Sequence, residues 1–361
     1  MNEKEILEKA ICYAVQSENE VWKREKCAWG KVRQAEKVGI FGAGKFFEDA
    51  YPYLENEIHA SFLTDNNPAM WGKEKHGLCC ISPEEMGKYN NLIVVIMVGD
   101  TQEIEKQLKN MQVEYVLLNE LIRNMYTPYH DKEWFIKEKE NMISALDLFE
   151  DELSRKIYVN AICCRIAPQY MWEEFRLLQT KEEYFDMPFW ELSEKEGYID
   201  VGAYTGDTIE EFAETVNGRF SYIYGYEMDD KIYEKLKENI EKTGRENIKA
   251  FHCGISDKTL RSGNNICMTA MDEIEYQGHV TLIKMDIEGQ EQNAIKGGIQ
   301  TIRREKPKMA VCVYHRLEDL WEIPGLIKNI CSDYKIWLRH HSPVVWDSVC
   351  YAAIKQQRSH P

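Results

Sequence analysis

Short β-branched runs alternate with stretches of helical periodicity from Gly197 onwards, and this alternation restricts the possible folds more than any other feature. The runs start at residues 198, 222, 248, 280 and 309. Two further β runs, 334–338 and 348–353, predict a closing antiparallel hairpin. Strands that alternate with helices form mostly parallel sheets covered by helices on both faces. We therefore predict a seven-stranded α/β sheet with its ligand site at the carboxyl ends of the strands.

A shorter version of the same alternation precedes this sheet. Runs at 37–41, 60–65, 91–98 and 115–118 predict a small doubly wound unit of about four strands. The residues from about 128 to 185 are charged and helical in pattern, as is typical of a connector. The predicted division of the chain is an N-terminal helical segment (1–36), a small Rossmann-like domain (37–125), a helical connector (126–185) and a larger C-terminal domain (186–361).

The charge balance and the apolar pattern argue against several classes of partner. Acidic residues number 61 against 45 basic ones, and the net charge of −16 repels phosphate backbones and anionic lipids. The apolar stretch Leu92–Val98 is too short to span a bilayer, and the N-terminus has no signal-peptide pattern. The eleven cysteines contain no C-x-x-C pair, which favours reduced thiols over a zinc site. We expect a cytoplasmic protein that binds neither nucleic acid nor membrane.

The segment Asp200-Val-Gly-Ala-Tyr-Thr-Gly-Asp-Thr208 follows a predicted strand and opens a helix. Its glycines allow a sharp turn close to a ligand, and the helix start offers unpaired N–H groups. Glu227 ends the next strand, 21 residues after Gly206, where a carboxylate can accept both hydroxyls of a ribose. Asp200 and Asp207 would repel phosphates and suit a ligand with a cationic end, such as S-adenosylmethionine. The cofactor contacts predicted in this loop are Asp200, Gly202, Ala203, Tyr204, Thr205, Gly206, Asp207 and Thr208.

Further motifs join this loop: Tyr226-Glu227-Met228, Leu282-Ile-Lys-Met-Asp-Ile-Glu-Gly-Gln-Glu291, Lys296-Gly-Gly298 and Lys306-Pro307. Together they resemble the FkbM family of methyltransferases over roughly residues 184–353, and the Lys-x-Asp-x-Glu-Gly-x-Glu run is the most specific element. The resemblance implies a Rossmann-like fold that binds S-adenosylmethionine and methylates a hydroxyl, commonly on a sugar or a secondary metabolite. The sequence departs from the family at Tyr204, where the family often has Asn.

Four residues near the strand ends are the predicted catalytic group. Asp286 ends a strand, and with Glu288 it is expected beside the sulfonium, where either carboxylate can orient the acceptor hydroxyl or take its proton. His315 is the preferred general base because the ordinary histidine pKa lies near working pH, with a capping or solvated histidine as the alternative. Lys284 belongs to the same motif, and an internal ion pair between Lys284 and Glu288 is the alternative there.

The remaining candidates flank these motifs. Further predicted cofactor contacts are Met228, Ser256, Asp257 and Asp286, and Asp257 can accept a hydrogen bond from an adenine amino group. Tyr184-Phe185 either covers the cofactor or packs in the core. The adjacent His340 and His341 point to opposite faces of a strand, so one ion cannot easily use both, and no metal is expected.

The N-terminal unit contains Gly42-Ala-Gly44, with Asp65 21 residues after Gly44, which is half of a dinucleotide fingerprint. Phe47 stands where the third glycine belongs, so a packing or dimerisation role is preferred to a bound nucleotide. Three functions stay open. The first is a methyltransferase that acts on a hydroxyl of a glycan, nucleotide-sugar or natural product. The second is an NAD(P)-dependent oxidoreductase or epimerase, and the third is a non-enzymatic scaffold.

Overall fold

The computed structural model describes residues 1–98, 101–122, 127–167, 175, 177–181, 183–262, 265–342 and 345–354. The predicted N-terminal helical segment consists of two helices, Glu3–Gln16 and Glu20–Gln34. Asn2 caps the first helix by accepting from the backbone N–H of Glu5. Asn19 lies in the left-handed region with φ = 58°, so the chain turns between the two helices.

The N-terminal sheet has six strands in the order β3-β4-β2-β1-β5-β6. The strands are β1 (Lys37–Phe41), β2 (Phe62–Thr64), β3 (Glu74–Lys75), β4 (Leu78–Ile81), β5 (Leu92–Ile96) and β6 (Glu114–Leu117). Its helices are Lys45–Ala50, Glu55–Ile58, Gln102–Asn110 and Leu118–Ile122. The expectation of four strands missed the hairpin β3–β4, because strands of two and four residues leave too little alternation to read.

The connector is part of the folded core. Helices Lys132–Ser144 and Glu152–Ile166 both contact the first helix of the chain, and the second also contacts the C-terminal sheet. Ile157, Tyr158 and Ile162 are fully buried in an apolar cluster that includes side chains of both sheets. The two α/β units are therefore packed together through the connector.

The C-terminal sheet has the predicted seven strands. Their order is β15-β16-β14-β13-β7-β8-β9, with the first five in the chain parallel and the hairpin antiparallel. They are β7 (Gly197–Val201), β8 (Tyr222–Glu227), β9 (Ile248–His252), β13 (Leu282–Met285), β14 (Lys308–Cys312), β15 (Tyr334–His340) and β16 (Ser348–Ile354). A small separate sheet holds β10 (Gly254–Ile255), β11 (Leu260–Ser262) and β12 (Asn265–Thr269).

The helices of this unit are Asp207–Thr215, Asp230–Thr243, Glu291–Lys296, Ile299–Glu305 and Asp319–Ile330. Gly297 and Gly298 separate the helices Glu291–Lys296 and Ile299–Glu305. A Cβ on Gly297 would lie 1.9 Å from the carbonyl oxygen of Ser256, so the chain passes the Ser256 loop too closely for a side chain. No helix in the described part of the chain is both long and apolar enough to cross a bilayer.

Neighbouring parallel strands bring the predicted motifs to one edge of the sheet. β7 lies between β8 and β13, and β14 flanks β13 on its other side. The loop from Gly202, Glu227, Asp286 and His315 follow or end these four strands. This carboxyl edge is therefore where a ligand site is expected.

Candidate functional site

The loop after β7 has a backbone that requires glycine. Gly202 and Gly206 have φ values of 81° and 93°. A Cβ on Gly202 would lie 2.0 Å from the carbonyl oxygen of Asp286. Tyr204 is also left-handed, at φ = 46°, and is 57% exposed. Asn tolerates the left-handed region better than Tyr does. Tyr204, where the family often has Asn, therefore adds backbone strain to a loop whose glycines let the backbone come close to a ligand.

Asp200 and Lys284 form a buried ion pair beneath this loop. The Lys284 Nζ lies 3.2 Å from Asp200 Oδ1 and donates to the carbonyl oxygen of Gly202 at 2.8 Å. Thr208 donates its hydroxyl to the other carboxylate oxygen of Asp200. The alternative pair of Lys284 with Glu288 is wrong, because the lysine is directed at Asp200. The cation that Asp200 faces in this structure is thus Lys284, and both residues shape the loop from inside.

The charges of these two residues depend on each other. Burial raises the pKa of Asp200, and the Lys284 charge opposes that rise. Burial also lowers the pKa of Lys284, but the charges of Asp200 and Asp286 more than reverse this, so the pKa ends above its ordinary value. Lys284 is therefore a permanent cation that cannot accept a proton, and its geometry is that of a positioning residue.

The end of β8 carries Glu227 in an ordered turn. Its Oε1 accepts from the backbone N–H groups of Met228 and Asp229, each at 2.8 Å. The backbone N–H groups of Gly202 and Ala203 both donate to the carbonyl oxygen of Tyr226 at 3.0 Å, which ties the glycine loop to this strand end. No residue that the structure describes donates a hydrogen bond to the other carboxylate oxygen of Glu227, so this oxygen is available to a ligand.

The other predicted cofactor contacts lie around this turn. Asp207 and Asp257 are exposed, and Thr205 and Thr208 are partly exposed. The buried hydroxyl of Ser256 donates to Asp257 Oδ1 at 3.2 Å, which orients that carboxylate. These placements agree with a ligand lying along the loop, and the cofactor contacts themselves stay predictions.

Asp286 ends β13 next to three polar side chains. Tyr314 donates its hydroxyl to Asp286 Oδ1 at 3.2 Å, and His315 Nε2 lies 3.5 Å from the same oxygen. Glu288 Oε2 is also 3.5 Å from His315 Nε2. Glu288 is mostly exposed and left-handed at φ = 54°. The predicted group of Asp286, Glu288 and His315 is thus brought together.

His315 is 1% exposed, so the solvated alternative is wrong. Its Nδ1 lies 3.1 Å from Oε1 of Glu291, which also accepts from the backbone N–H of Ile287 at 2.8 Å. Burial lowers the pKa of His315, but the hydrogen bond and charge of Glu291, with the charges of Asp286 and Glu288, raise it to about 9. This imidazole is therefore protonated at neutral pH, and the expected ordinary histidine pKa is wrong.

Three residues near Asp286 were not predicted from the sequence. Glu291 closes the Lys-x-Asp-x-Glu-Gly-x-Glu run, and its place in the most specific motif was the available signal. Tyr314 precedes His315 and could have been found as its neighbour. Glu183 carried no local signal. Burial and the charge of Asp347 raise the pKa of Glu183 to about 8, and Asp286 adds to this rise.

Two further expectations concern the aromatic pair and the adjacent histidines. Tyr184 and Phe185 are buried in the core, and the Tyr184 ring lies 5.6 Å from Lys284 Nζ, so packing is their role. His340 contacts the hydroxyl of Ser348 at 3.0 Å, whereas His341 Nε2 contacts the hydroxyl of Tyr351 at 2.8 Å. The two histidines thus have separate surroundings. The residues whose ligand atoms do converge are Asp286, Glu291 and His315.

The glycine loop of the N-terminal unit is closed by its own side chains. Asp65 Oδ2 accepts from the backbone N–H of Ala43, and its Oδ1 accepts from that of Asn67, both at 2.8 Å. Lys75 donates to the carbonyl oxygen of Ala43 at 2.8 Å and pairs with Glu48. The carboxylate that a dinucleotide ribose would need is therefore engaged within the protein.

Comparison with known proteins gives two family matches. Residues 34–116 match the family described as C2185-like, N-terminal, and residues 200–336 match the methyltransferase FkbM domain. No curated protein matches the sequence.

Among solved structures, the methyltransferase FkbM from Methylobacillus flagellatus KT is 20% identical, with a TM-score of 0.64. The match covers 96% of this chain and 99% of that chain, which shows a shared fold. An rRNA methylase from Streptococcus thermophilus (12% identity, 46% of this chain and 90% of that chain, TM-score 0.32) also matches. So does fibrillarin from Aeropyrum pernix with natively bound S-adenosyl-L-methionine (18% identity, 45% of this chain and 69% of that chain, TM-score 0.33). At these two scores the similarity supports no conclusion. Residues 200–336 thus match the methyltransferase FkbM domain, and the fold along the chain is shared with a methyltransferase FkbM.

Proposed function

We propose that this methyltransferase O-methylates a hydroxyl of a glycan, a nucleotide-sugar or a natural product. The observation that carries the proposal is the contact between the loop after β7 and the end of β13. Gly202 approaches the Asp286 carbonyl so closely that no side chain fits between them. A methyl donor on that loop and an acceptor held by Asp286 would therefore meet at one point of the sheet edge.

The residues at the loop fit S-adenosylmethionine. Gly202 and Gly206 keep the loop free of side chains where the backbone turns. Glu227 keeps one carboxylate oxygen for ribose hydroxyls, and Asp257 presents a second carboxylate just after β10. When bound, S-adenosylmethionine supplies a methyl group on a positively charged sulfur, and the exposed Asp207 carboxylate adds a favourable field near the loop.

On the acceptor side, Asp286 is the residue we place at the reacting hydroxyl. Its Oδ1 is held by Tyr314 and faces His315, which leaves Oδ2 to accept from the hydroxyl and to receive its proton. His315, fixed by Glu291, holds its positive charge beside this carboxylate. His315 is then a positioning residue, and Lys284 has the same role for the loop.

Ligand binding separates this proposal from the NAD(P)-dependent alternative, which the engaged carboxylate of Asp65 does not favour. S-adenosylhomocysteine, NAD and nucleotide-sugars are titrated in parallel by calorimetry. We expect saturable binding of S-adenosylhomocysteine and none of NAD. Methyl transfer from labelled S-adenosylmethionine is then measured on panels of hydroxyl and amine acceptors. Transfer to amines alone, or binding of NAD alone, would contradict the proposal.

A further inference from the structure

The cluster around His315 has the ligand types and spacing of a metal site. One ligand atom each from Asp286, Glu291 and His315 lies within 4.8 Å of the other two. Asp286 Oδ1 lies 3.5 Å from His315 Nε2, whereas Glu291 Oε1 lies 3.1 Å from His315 Nδ1. Ligand atoms about 2.0–2.2 Å from one ion are about 3–3.5 Å apart when they are neighbours. Because the two carboxylates face different nitrogens of the imidazole, one of them would have to move toward the other nitrogen for all three groups to bind one ion.

The charge of the cluster points in the same direction. Three carboxylates, on Asp286, Glu288 and Glu291, lie within 3.5 Å of a single imidazole. This imidazole is protonated at neutral pH and would release its proton on binding an ion. Lys284, one of the nearby cations, pairs with Asp200. Glu291 is 0% exposed, and its Oε2 accepts no hydrogen bond from any residue that the structure describes. A buried anionic oxygen without such a partner is costly, and a cation would satisfy it.

We propose that Asp286, Glu291 and His315 bind a divalent metal ion at the acceptor side of the site. Carboxylate oxygens suit Mg²⁺ and Mn²⁺, whereas an imidazole nitrogen suits transition metals, so Mn²⁺ fits the mixed set best. The side chain of Asp286 is 29% exposed, and Glu288 lies on the same open side. The buried ligands thus lie behind the ion and leave its outer positions open.

An ion with open positions gives the site a second means of activating a hydroxyl. A bound divalent cation lowers the pKa of an oxygen that coordinates it, which eases removal of the hydroxyl proton. This consequence rests on the proposed O-methyl transfer, whereas metal binding does not. The inference also replaces the sequence-based expectation that the protein uses no metal.

The test is metal binding by the full chain without any methyl donor. Protein stripped with EDTA is titrated with Mn²⁺, and in separate arms with Mg²⁺, Zn²⁺ and Ca²⁺, by calorimetry, with electron paramagnetic resonance for Mn²⁺. We expect one ion per chain. Asp286→Asn and Glu291→Gln should each weaken binding at least tenfold, because each removes a ligand charge.

A matched control is His279→Gln at the opposite edge of the sheet, where His279 Nδ1 lies 2.8 Å from a carboxylate oxygen of Glu305. This variant should bind the metal as the wild type does. Circular dichroism and S-adenosylhomocysteine binding on the same samples report whether each variant is folded. The proposal is overturned if folded wild-type protein binds none of the four ions saturably at millimolar concentration. It is equally overturned if folded Asp286→Asn binds as tightly as the wild type. Wild-type protein that binds the metal ion but not S-adenosylhomocysteine would instead contradict the methyltransferase proposal.

Discussion

The loops after β1 and β7 both join a buried strand to a helix through two glycines, and in both units an acidic residue follows at or just past the end of the next strand. In the N-terminal unit, Asp65 uses both carboxylate oxygens on backbone N–H groups, and one of these belongs to the glycine loop. In the C-terminal unit, Glu227 turns one oxygen to the backbone that follows it and leaves the glycine loop open.

The cations beside the two loops differ in the same way. Lys75 reaches Ala43 from a partly exposed position and pairs with the partly exposed Glu48. Lys284 reaches Gly202 from inside the protein and pairs with the fully buried Asp200. One loop is closed from outside by its own side chains, whereas the other is supported from beneath and keeps its outer face for a ligand. A shared sequence pattern therefore does not imply a shared function.

The largest difference should appear when the two lysines are replaced. Lys284→Met leaves Asp200 buried without its counter-ion, which typically costs about 3–5 kcal/mol of unfolding free energy. Lys75→Met breaks a pair near the surface and should cost about 1 kcal/mol or less. Urea denaturation of both variants measures the difference. Equal losses would show that the two loops are supported alike.

Asp286→Asn tests whether the open loop serves chemistry. The amide keeps the size of the side chain and can still receive the Tyr314 hydroxyl, but it loses the charge that faces the acceptor. We expect single-turnover methyl transfer to fall on the order of 100-fold, because small misplacements of the acceptor are that costly. Affinity for S-adenosylhomocysteine should change far less. Near-normal turnover would reduce Asp286 to a structural strand end.

Glu227→Ala and Asp65→Ala compare the two acidic residues directly. Loss of charge-assisted hydrogen bonds to a ribose should weaken S-adenosylhomocysteine binding in Glu227→Ala by about 1.5–3 kcal/mol. Asp65→Ala should leave that affinity and methyl transfer unchanged, although it loses two internal hydrogen bonds. Calorimetry on both variants decides the point. Release of a co-purifying nucleotide from Asp65→Ala would show that the N-terminal loop also holds a ligand.

A pH dependence is expected at Glu183, whose pKa responds to Asp286 in the C-terminal unit. Burial and the charge of Asp347 raise the pKa of Glu183 to about 8, so its neutral form stabilises the folded state. This contribution is complete below the ordinary glutamate pKa and is lost as the pH rises through about 8. Glu183→Gln should therefore reduce the fall in unfolding free energy between pH 5 and 8, by about 1 kcal/mol per pH unit at most. Parallel pH profiles for the two proteins would contradict this.

Local pattern was sufficient for most of the architecture. β-branched runs and helical spacing located the strands of the seven-stranded sheet, because a strand buried on both faces leaves a continuous apolar run. Because ligand sites in such sheets lie at the carboxyl ends of the strands, the sequence also predicted one shared edge for the site residues Gly202, Glu227, Asp286 and His315. The hairpin β3–β4 and the break at Gly297 were not predicted, since one is too short to show a period and the other depends on a distant loop.

The sequence by itself thus determined which residues stand at the carboxyl edge, through strand positions and the spacing of glycines and carboxylates between them. Only the tertiary structure decided what those residues do there. Lys284 pairs with Asp200 rather than with Glu288, and His315 is buried against Glu291. These outcomes depend on burial and on partners that packing selects across the sheet. A buried charge is stable only beside a counter-charge, and the folded structure decides which counter-charge is near. Local sequence therefore does not show the partner.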